Sequence, residues 1–232
     1  MLFVTGDTHG DHDRFFKENE KPGTGDTLII CGDFGYLFSG SKREQEYLNT
    51  LTSLPYQILF VDGNHENFDL LETYPVQKWC GGKVHMLRQD KHGIPKVIHL
   101  MRGQVFEMKG KKIFTFGGAY SIDKYSRNPG VSWWSQEMPT DEEMQEAIKN
   151  LKRHHFQVDY IVTHTAPEDT MTRFHPYHSE EQRLNNFLEW VRENTAYSHW
   201  YFGHLHQDKD LWRNQSVLYQ EIRNMETNEK IV

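Results

Sequence analysis

Asp7 and His9 in Gly6-Asp7-Thr8-His9-Gly10, Asp33 in Gly32-Asp33, Asn64 in Gly63-Asn64-His65-Glu66, His164 in Thr163-His164, and His204 and His206 in Gly203-His204-Leu205-His206 form five short clusters of potential metal ligands. Each follows an apolar run that reads as a strand. Four imidazoles, two carboxylates and one carboxamide, with no thiolate, make a nitrogen and oxygen donor set. Such a set suits Mn, Fe, Zn, Co or Ni and fits Cu(I) poorly. One Asp-x-His alone carries little information in a chain with 14 histidines; the ordered series of five motifs carries much more. Strand-end caps and turns would account for Asp and Asn but not for so many histidines, which have no particular value at those positions.

The elements that must hold these residues can be read from pattern. Strand-like runs at Leu2 to Thr5, Thr27 to Cys31, Gln57 to Val61, Tyr160 to Thr163 and His199 to Phe202 each end at a cluster. Ser41 with Glu44, Thr140 with Glu143, and Ser179 with Gln182 have the spacing of helix capping boxes. Met144, Ala147, Ile148 and Leu151, and again Leu184, Phe187, Leu188 and Val191, recur at helical spacing and predict two helices with one apolar face each. A further helix is expected over Asn67 to Tyr74, with Glu66 a favourable carboxylate at its start. Strands followed by helices pair in parallel and leave a crevice beyond their carboxyl ends, where the clusters fall. The remaining strands, Val84 to Leu87, the Val105 to Phe116 hairpin and Lys209 to Ile222, read as a second, more antiparallel sheet. Lys109 to Lys112 is read as the hairpin's turn in preference to a phosphate-gripping patch.

The ordered motifs D-x-H, G-D, G-N-H-E, a lone His and G-H-x-H, spanning residues 7 to 206, resemble the calcineurin-like metallophosphoesterase superfamily. The resemblance implies an α/β fold in which a two-sheet β-sandwich is flanked by helices. It implies two divalent metal ions, Mn2+ first, with Fe, Zn, Co or Ni compatible. It assigns Asp7, His9, Asp33 and His206 to one ion and Asp33, Asn64, His164 and His204 to the other, with Asp33 bridging. Two dications less two carboxylates and a bridging hydroxide leave a local charge of about +1, so an acidic chain can still attract a phosphate. The implied reaction is hydrolysis of a phosphate ester by metal-bound hydroxide, with His65 as the general acid toward the leaving group. A phosphodiesterase is favoured slightly; a phosphomonoesterase or protein Ser/Thr phosphatase is the alternative, and a non-catalytic scaffold is disfavoured because no ligand is missing. Protein Ser/Thr phosphatases resemble G-D-x-V-D-R-G at the second motif, whereas this chain reads Gly32-Asp33-Phe34-Gly35-Tyr36-Leu37-Phe38. Purple acid phosphatases resemble G-D-x-x-Y, which Tyr36 satisfies, but lack the His that His9 supplies here. Tyr36 therefore reads as a packing or substrate-wall residue.

At 232 residues, 37% hydrophobic and 13% aromatic, the chain suits one domain with elaborations and has ample apolar content for a core. A net charge of −7 argues against a broad nucleic-acid footprint without excluding a nucleotide or nucleic-acid substrate. No apolar run approaches the ~20 residues of a membrane span, and no signal peptide fits before Asp7, so a cytoplasmic protein without membrane contact is expected. Cys31 reads as a small buried hydrophobe and does not form a disulfide framework with Cys80. Oligomeric state is not legible. Two stretches stand outside the scaffold. Residues 120–139 hold Tyr120, Tyr125, Trp133 and Trp134 beside Lys124 and Arg127; residues 166–178 hold Arg173, Phe174, His175, Tyr177 and His178. Each is expected to wall the site or to pack down on the domain. Arg127 is the candidate phosphate-binding arginine, because a guanidinium fork matches phosphate geometry, and Trp134 is a candidate substrate contact.

Overall fold

The computed structural model describes residues 1–16, 22–174 and 179–231. His175, Tyr177 and His178 lie outside the described residues. The strands in chain order are β1 (Leu2–Thr5), β2 (Thr27–Ile30), β3 (Gln57–Phe60), β4 (Val76–Trp79), β5 (Gly82–Gln89), β6 (Pro95–Leu100), β7 (Gln104–Met108), β8 (Lys111–Phe116), β9 (Tyr160–Thr163), β10 (His199–Phe202), β11 (Lys209–Leu211), β12 (Gln215–Val217) and β13 (Ile222–Asn224). The helices are α1 (Asp13–Phe16), α2 (Lys42–Thr50), α3 (Phe68–Leu71), α4 (Asp141–Arg153), α5 (Glu168–Met171) and α6 (Gln182–Asn194).

The strands form two mixed sheets, a seven-stranded one in the order β13-β1-β2-β3-β6-β5-β4 and a six-stranded one in the order β11-β12-β10-β9-β8-β7. Alternation along each central strand explains why they stack. Phe3, Leu28, Ile30, Ile58 and Phe60 face one apolar cluster with residues of α2 and α3, while Val4, Ile29, Cys31, Leu59 and Val61 face the opposite way. That second face shares a cluster with Phe106, Ile113, Tyr160, Val162 and Tyr201 of the other sheet, so this cluster is the layer between the sheets. The far face of the six-stranded sheet carries Phe114, Phe116, Ile161, Trp200 and Phe202 against the apolar stripes of α4 and α6. This is the α/β two-sheet sandwich flanked by helices.

The division of strands between the sheets differs from the sequence expectation. The strands that precede the clusters do not share one sheet: β1, β2 and β3 lie in the larger, β9 and β10 in the smaller. Within the smaller sheet β8, β9, β10 and β12 run parallel, so it is not the more antiparallel one. The Val84 strand joins the larger sheet through β6, and the chain after Lys209 crosses between sheets, ending as β13 against β1. Period-two patterning identifies a strand buried on both faces, but the partner is chosen by long-range packing that local pattern does not contain.

Local chemistry accounts for several boundaries. Thr140 caps α4 in a complete capping box with Glu143. At α2 only half of the expected box forms: Ser41 accepts from Glu44 N, but the Glu44 carboxylate turns to the backbone N–H groups of Phe38, Ser39 and Gly40. The box expected at Ser179 is absent, since α6 begins two residues later, with Glu181 at its N-cap and no side-chain cap hydrogen bond. The helix expected to Tyr74 is the single turn of α3, capped by Asn67. Lys109 and Gly110 both have positive φ and form the two-residue turn between β7 and β8, as the hairpin reading required. Cys31 is buried, Cys80 is exposed, and both are free thiols.

Candidate metal centre

The segments after β1, β2, β3, β9 and β10 bring all seven candidate ligands to one end of the sandwich. Four of them, His9, Asp33, His204 and His206, hold φ between 46° and 65°. This left-handed conformation costs a non-glycine residue on the order of 1–2 kcal/mol, and its recurrence here reverses the chain at strand ends so that side chains return over the sheet edge. Glycines make the approach close enough. A Cβ on Gly63 would stand 2.0 Å from Asp33 Oδ1, and one on Gly203 2.1 Å from Asp7 Oδ1.

Two groups of donors come together. Asp7, His9 and His206 form one, with His206 Nε2 3.0 Å and His9 Nε2 3.8 Å from Asp7 Oδ2, and the two Nε2 atoms 2.9 Å apart. The other contains Asp7, Asp33 and His164, with His164 Nε2 3.5 Å from Asp33 Oδ1. Asp33 Oδ2 faces the first group, 3.9 Å from His9 Nε2. Asn64 Oδ1 completes the second, 3.0 Å from His164 Nε2. His204 lines the adjoining cleft, its ring edge-on to His164 with centroids 5.0 Å apart.

The donor set fits divalent cations. His164 Nδ1 lies 2.7 Å from the carbonyl oxygen of Cys31, which only accepts, so Nδ1 carries a proton and Nε2 is the nitrogen turned to Asn64 Oδ1. Backbone support of this kind orients metal-ligating histidines. Asp7 Oδ2 is buried and makes no hydrogen bond among the described residues. Its other oxygen accepts from His204 N at 2.9 Å, as Asp33 Oδ1 does from His65 N at 2.8 Å. Burial opposes charge on Asp33, but His164, His65 and His9 outweigh it and hold the carboxyl below its ordinary value. Burial likewise opposes protonation of His164, where Asp33 and Asp7 prevail and raise it. Contact with Asp7 raises His206. The two raised histidines report the negative potential of the carboxylates, against which a cation would be favourable.

Beside the donors lies a cleft of about 220 Å³ whose walls include His65, Tyr120, Ile122, Asp123, Arg127 and Glu181. The Arg127 guanidinium stands 3.1 Å from each ring nitrogen of His65 and 2.9 Å from Asp123 Oδ2. Burial lowers the His65 pKa, opposed by Asp33 and reinforced by Arg127. Tyr36 and Trp134 are elsewhere. Tyr36 is 1% exposed, packed on Phe34 and Phe15, with its hydroxyl 3.4 Å from His12 Nδ1 and its pKa raised by burial. Trp134 is 5% exposed, edge-on to Phe38, and donates its indole N–H to Asp69 at 2.8 Å. As substrate walls both are corrected to packing anchors, because a side chain inside the core has no free face to offer. The 120–139 stretch thus divides: its first part walls the cleft and Trp134 pins it down. Of the second stretch, Arg173 packs over Trp212, with 4.1 Å from its guanidinium carbon to the ring.

Glu66 is not a helix-start carboxylate. It is buried ahead of the Asn67 cap and accepts from Phe34 N at 2.8 Å, tying the third motif to the second; burial and then Asp33 push its carboxyl well up. Ser121 and Glu137 were not legible as site residues. Ser121 follows the small residues Gly117, Gly118 and Ala119 at the end of β8, a pattern that marks close approach, whereas nothing around Glu137 distinguishes it from a surface acid.

The candidate Asp and His donors gather at one end of a two-sheet sandwich. The chain matches the model of the calcineurin-like phosphoesterase family over residues 2–208 and belongs to that family. That family is one of phosphoesterases. It is 25% identical over 232 aligned residues to a lariat debranching enzyme from Schizosaccharomyces pombe; the match covers 88% of this chain and 47% of that protein, so the chain spans about half the length of the curated relative. A solved phosphopantetheinyl hydrolase from Mycobacterium tuberculosis is 15% identical, with 94% of this chain and 87% of that one covered at a TM-score of 0.47. Among the described residues no helix is long and apolar enough to cross a membrane.

Proposed function

We propose that this protein is a binuclear metal-dependent phosphodiesterase in which Asp7, His9, Asp33 and His206 hold one divalent ion, Asp33, Asn64, His164 and His204 hold a second, and His65 is the general acid. The observation that carries the reading is the convergence of His164 Nε2 and Asn64 Oδ1, 3.0 Å apart beside a carboxylate whose two oxygens face the two donor groups. Asp33 would be the ligand shared by both ions, since its Oδ1 faces His164 Nε2 and its Oδ2 faces His9 Nε2, whereas Asp7 faces His164 Nδ1, which is committed to Cys31. When bound, a pair of divalent ions supplies an activated water and positive charge against the phosphoryl oxygens. Mn2+ is the favoured identity by the family resemblance, and the donor type is equally compatible with Fe, Zn, Co or Ni.

The residues around the ions do the rest. Arg127 turns its fork from His65 to the phosphoryl oxygens, a bidentate geometry a lysine would not reproduce. His65, held over Asp33 by its own backbone N–H, delivers a ring proton to the departing oxygen. A diester needs room for a group on each side of phosphorus. The cleft is lined by Tyr120 and by Ile122, which is 66% exposed, so the second substituent meets an apolar and aromatic face against which a nucleobase can pack. The likeness to a lariat debranching enzyme, a phosphodiesterase, supports the same choice. Metal-reconstituted protein assayed against bis-p-nitrophenyl phosphate and p-nitrophenyl phosphate tests it. The diester is expected to be the better substrate, with activity rising until two equivalents of Mn2+ are bound; saturation at one equivalent rejects the binuclear centre, and preference for the monoester rejects the phosphodiesterase.

A further inference from the structure

The segment after β8 meets the centre twice. It supplies Tyr120, Ser121 and Arg127 to the cleft wall and then, 16 residues beyond Ser121, returns with Glu137 behind it. Glu137 is buried and both its oxygens are engaged: the Ser121 backbone N–H donates to Oε1 at 3.0 Å and the Ser121 hydroxyl donates to Oε2 at 2.6 Å. A hydroxyl has a single proton. Because that proton is committed to a carboxylate, Ser121 Oγ presents only lone pairs to Asn64, and Asn64 Nδ2 donates to it at 3.0 Å. The oxygen and nitrogen of a carboxamide are nearly equal in size, so an asymmetric partner is required to choose between its two orientations. With NH2 on Ser121, Oδ1 is the atom directed at His164 Nε2. Only the oxygen of a neutral carboxamide ligates a cation.

Both ends of this chain are fixed by one side chain. Arg102 grips the buried Asp62, two residues before Asn64, through Nε at 2.8 Å and Nη2 at 2.5 Å. The same Nη2 donates to the carbonyls of Gln136 at 2.8 Å and Glu137 at 3.3 Å. The separation of Glu137 from Asn64 is therefore set by a shared anchor that is independent of any ion.

We infer that Glu137 is a positioning residue: an acceptor-only carboxylate that sets the polarity of the Glu137–Ser121–Asn64 chain and keeps the Asn64 oxygen, not its NH2 group, turned toward the metal centre. The inference rests on the assignment of Asn64 as a ligand in the reading above. Glu137→Gln keeps size and shape and changes only polarity. Ser121 N–H retains Oε1 as acceptor, the new NH2 donates to Ser121 Oγ, the hydroxyl proton turns to Asn64, and the carboxamide reverses.

Two measurements test this on the full chain. In metal-free, 15N-labelled protein, the Asn64 side-chain NH2 resonances, assigned by their loss in Asn64→Asp, shift in Glu137→Gln while the melting temperature stays near that of the parent. Calorimetric titration with Mn2+ shows the weaker of two binding events falling by about ten- to a hundredfold in Glu137→Gln, the usual effect of losing an outer-shell partner, with Asn64→Ala setting the limit of that loss. Ser121→Ala, which breaks the chain with Glu137 in place, is expected to show the same fall and serves if Glu137→Gln does not fold. Parental Mn2+ binding in both Glu137→Gln and Ser121→Ala, with binding lost in Asn64→Ala, overturns the role of Glu137 alone. Parental binding in Asn64→Ala removes the ligand assignment and the inference together.

Discussion

His65 and Arg127 face one another across 3.1 Å, and only their separate removal tells their roles apart. His65→Ala should leave bound metal near parental while turnover falls by about 10²- to 10⁴-fold for substrates with poor leaving groups and much less for p-nitrophenolate, which departs without a proton. Equal losses for both leaving groups would remove His65 from proton transfer. Arg127→Ala should act on the phosphate, not on the leaving group: competitive inhibition by inorganic phosphate weakens about tenfold, and metal titration is unchanged. Undiminished phosphate inhibition would place the anion's grip elsewhere. The contrast has a physical root. One residue is needed where charge develops in the transition state; the other binds charge already present in the ground state.

The elements decide whether those residues are in place. The wall of the cleft is an irregular segment with two 3₁₀ turns, at Lys124–Ser126 and Ser135–Glu137, and little ladder hydrogen bonding to hold it. Its anchors are side chains. Trp134 is buried against Phe38 and hydrogen-bonded to Asp69 of α3, while Lys124 sits over the rings of Tyr120 and Tyr125 at 4.6 and 5.1 Å. Trp134→Ala should cost about 3–5 kcal/mol of stability, as large-to-small core changes do. Its effect on catalysis should be uniform, with nucleotide and aryl substrates losing alike. A loss confined to nucleotide substrates, with unfolding unchanged, would return Trp134 to the substrate's side.

At the scale of the molecule, buried neutral histidines couple the fold to pH. His199 is packed on Tyr201 beneath Ser216, and burial lowers its pKa from 6.5 to about 4. The unfolded chain binds that proton more tightly, so the contribution is complete above about pH 6.5 and is lost as pH falls through the interval to about 4. His85, lowered to about 4 by burial and then by His99, acts in the same direction. The midpoint of urea unfolding should decline across this range, and His199→Gln should make the decline shallower whatever its effect at neutral pH. An identical slope in the variant would show that His199 is not a source of the acid sensitivity.

The candidate donors of the proposed centre were legible in the linear chain because they depend on residue type at fixed spacing after strands. Asp7, His9, Asp33, Asn64, His164, His204 and His206 could be named before any pairing was known, and the helical stripes of α4 and α6 likewise depend only on neighbours within two turns. What required the tertiary structure was everything set by partners far apart in sequence. The strands β9 and β10 lie in a different sheet from β1, β2 and β3, because strands apolar on both faces carry no local mark of which neighbour they choose. Tyr36 and Trp134 looked like walls and are core, since an aromatic ring reads the same in either place. Glu137 was invisible for the complementary reason. Its meaning lies in one proton of Ser121 and one face of Asn64, and only the folded chain brings those three side chains within hydrogen-bonding reach.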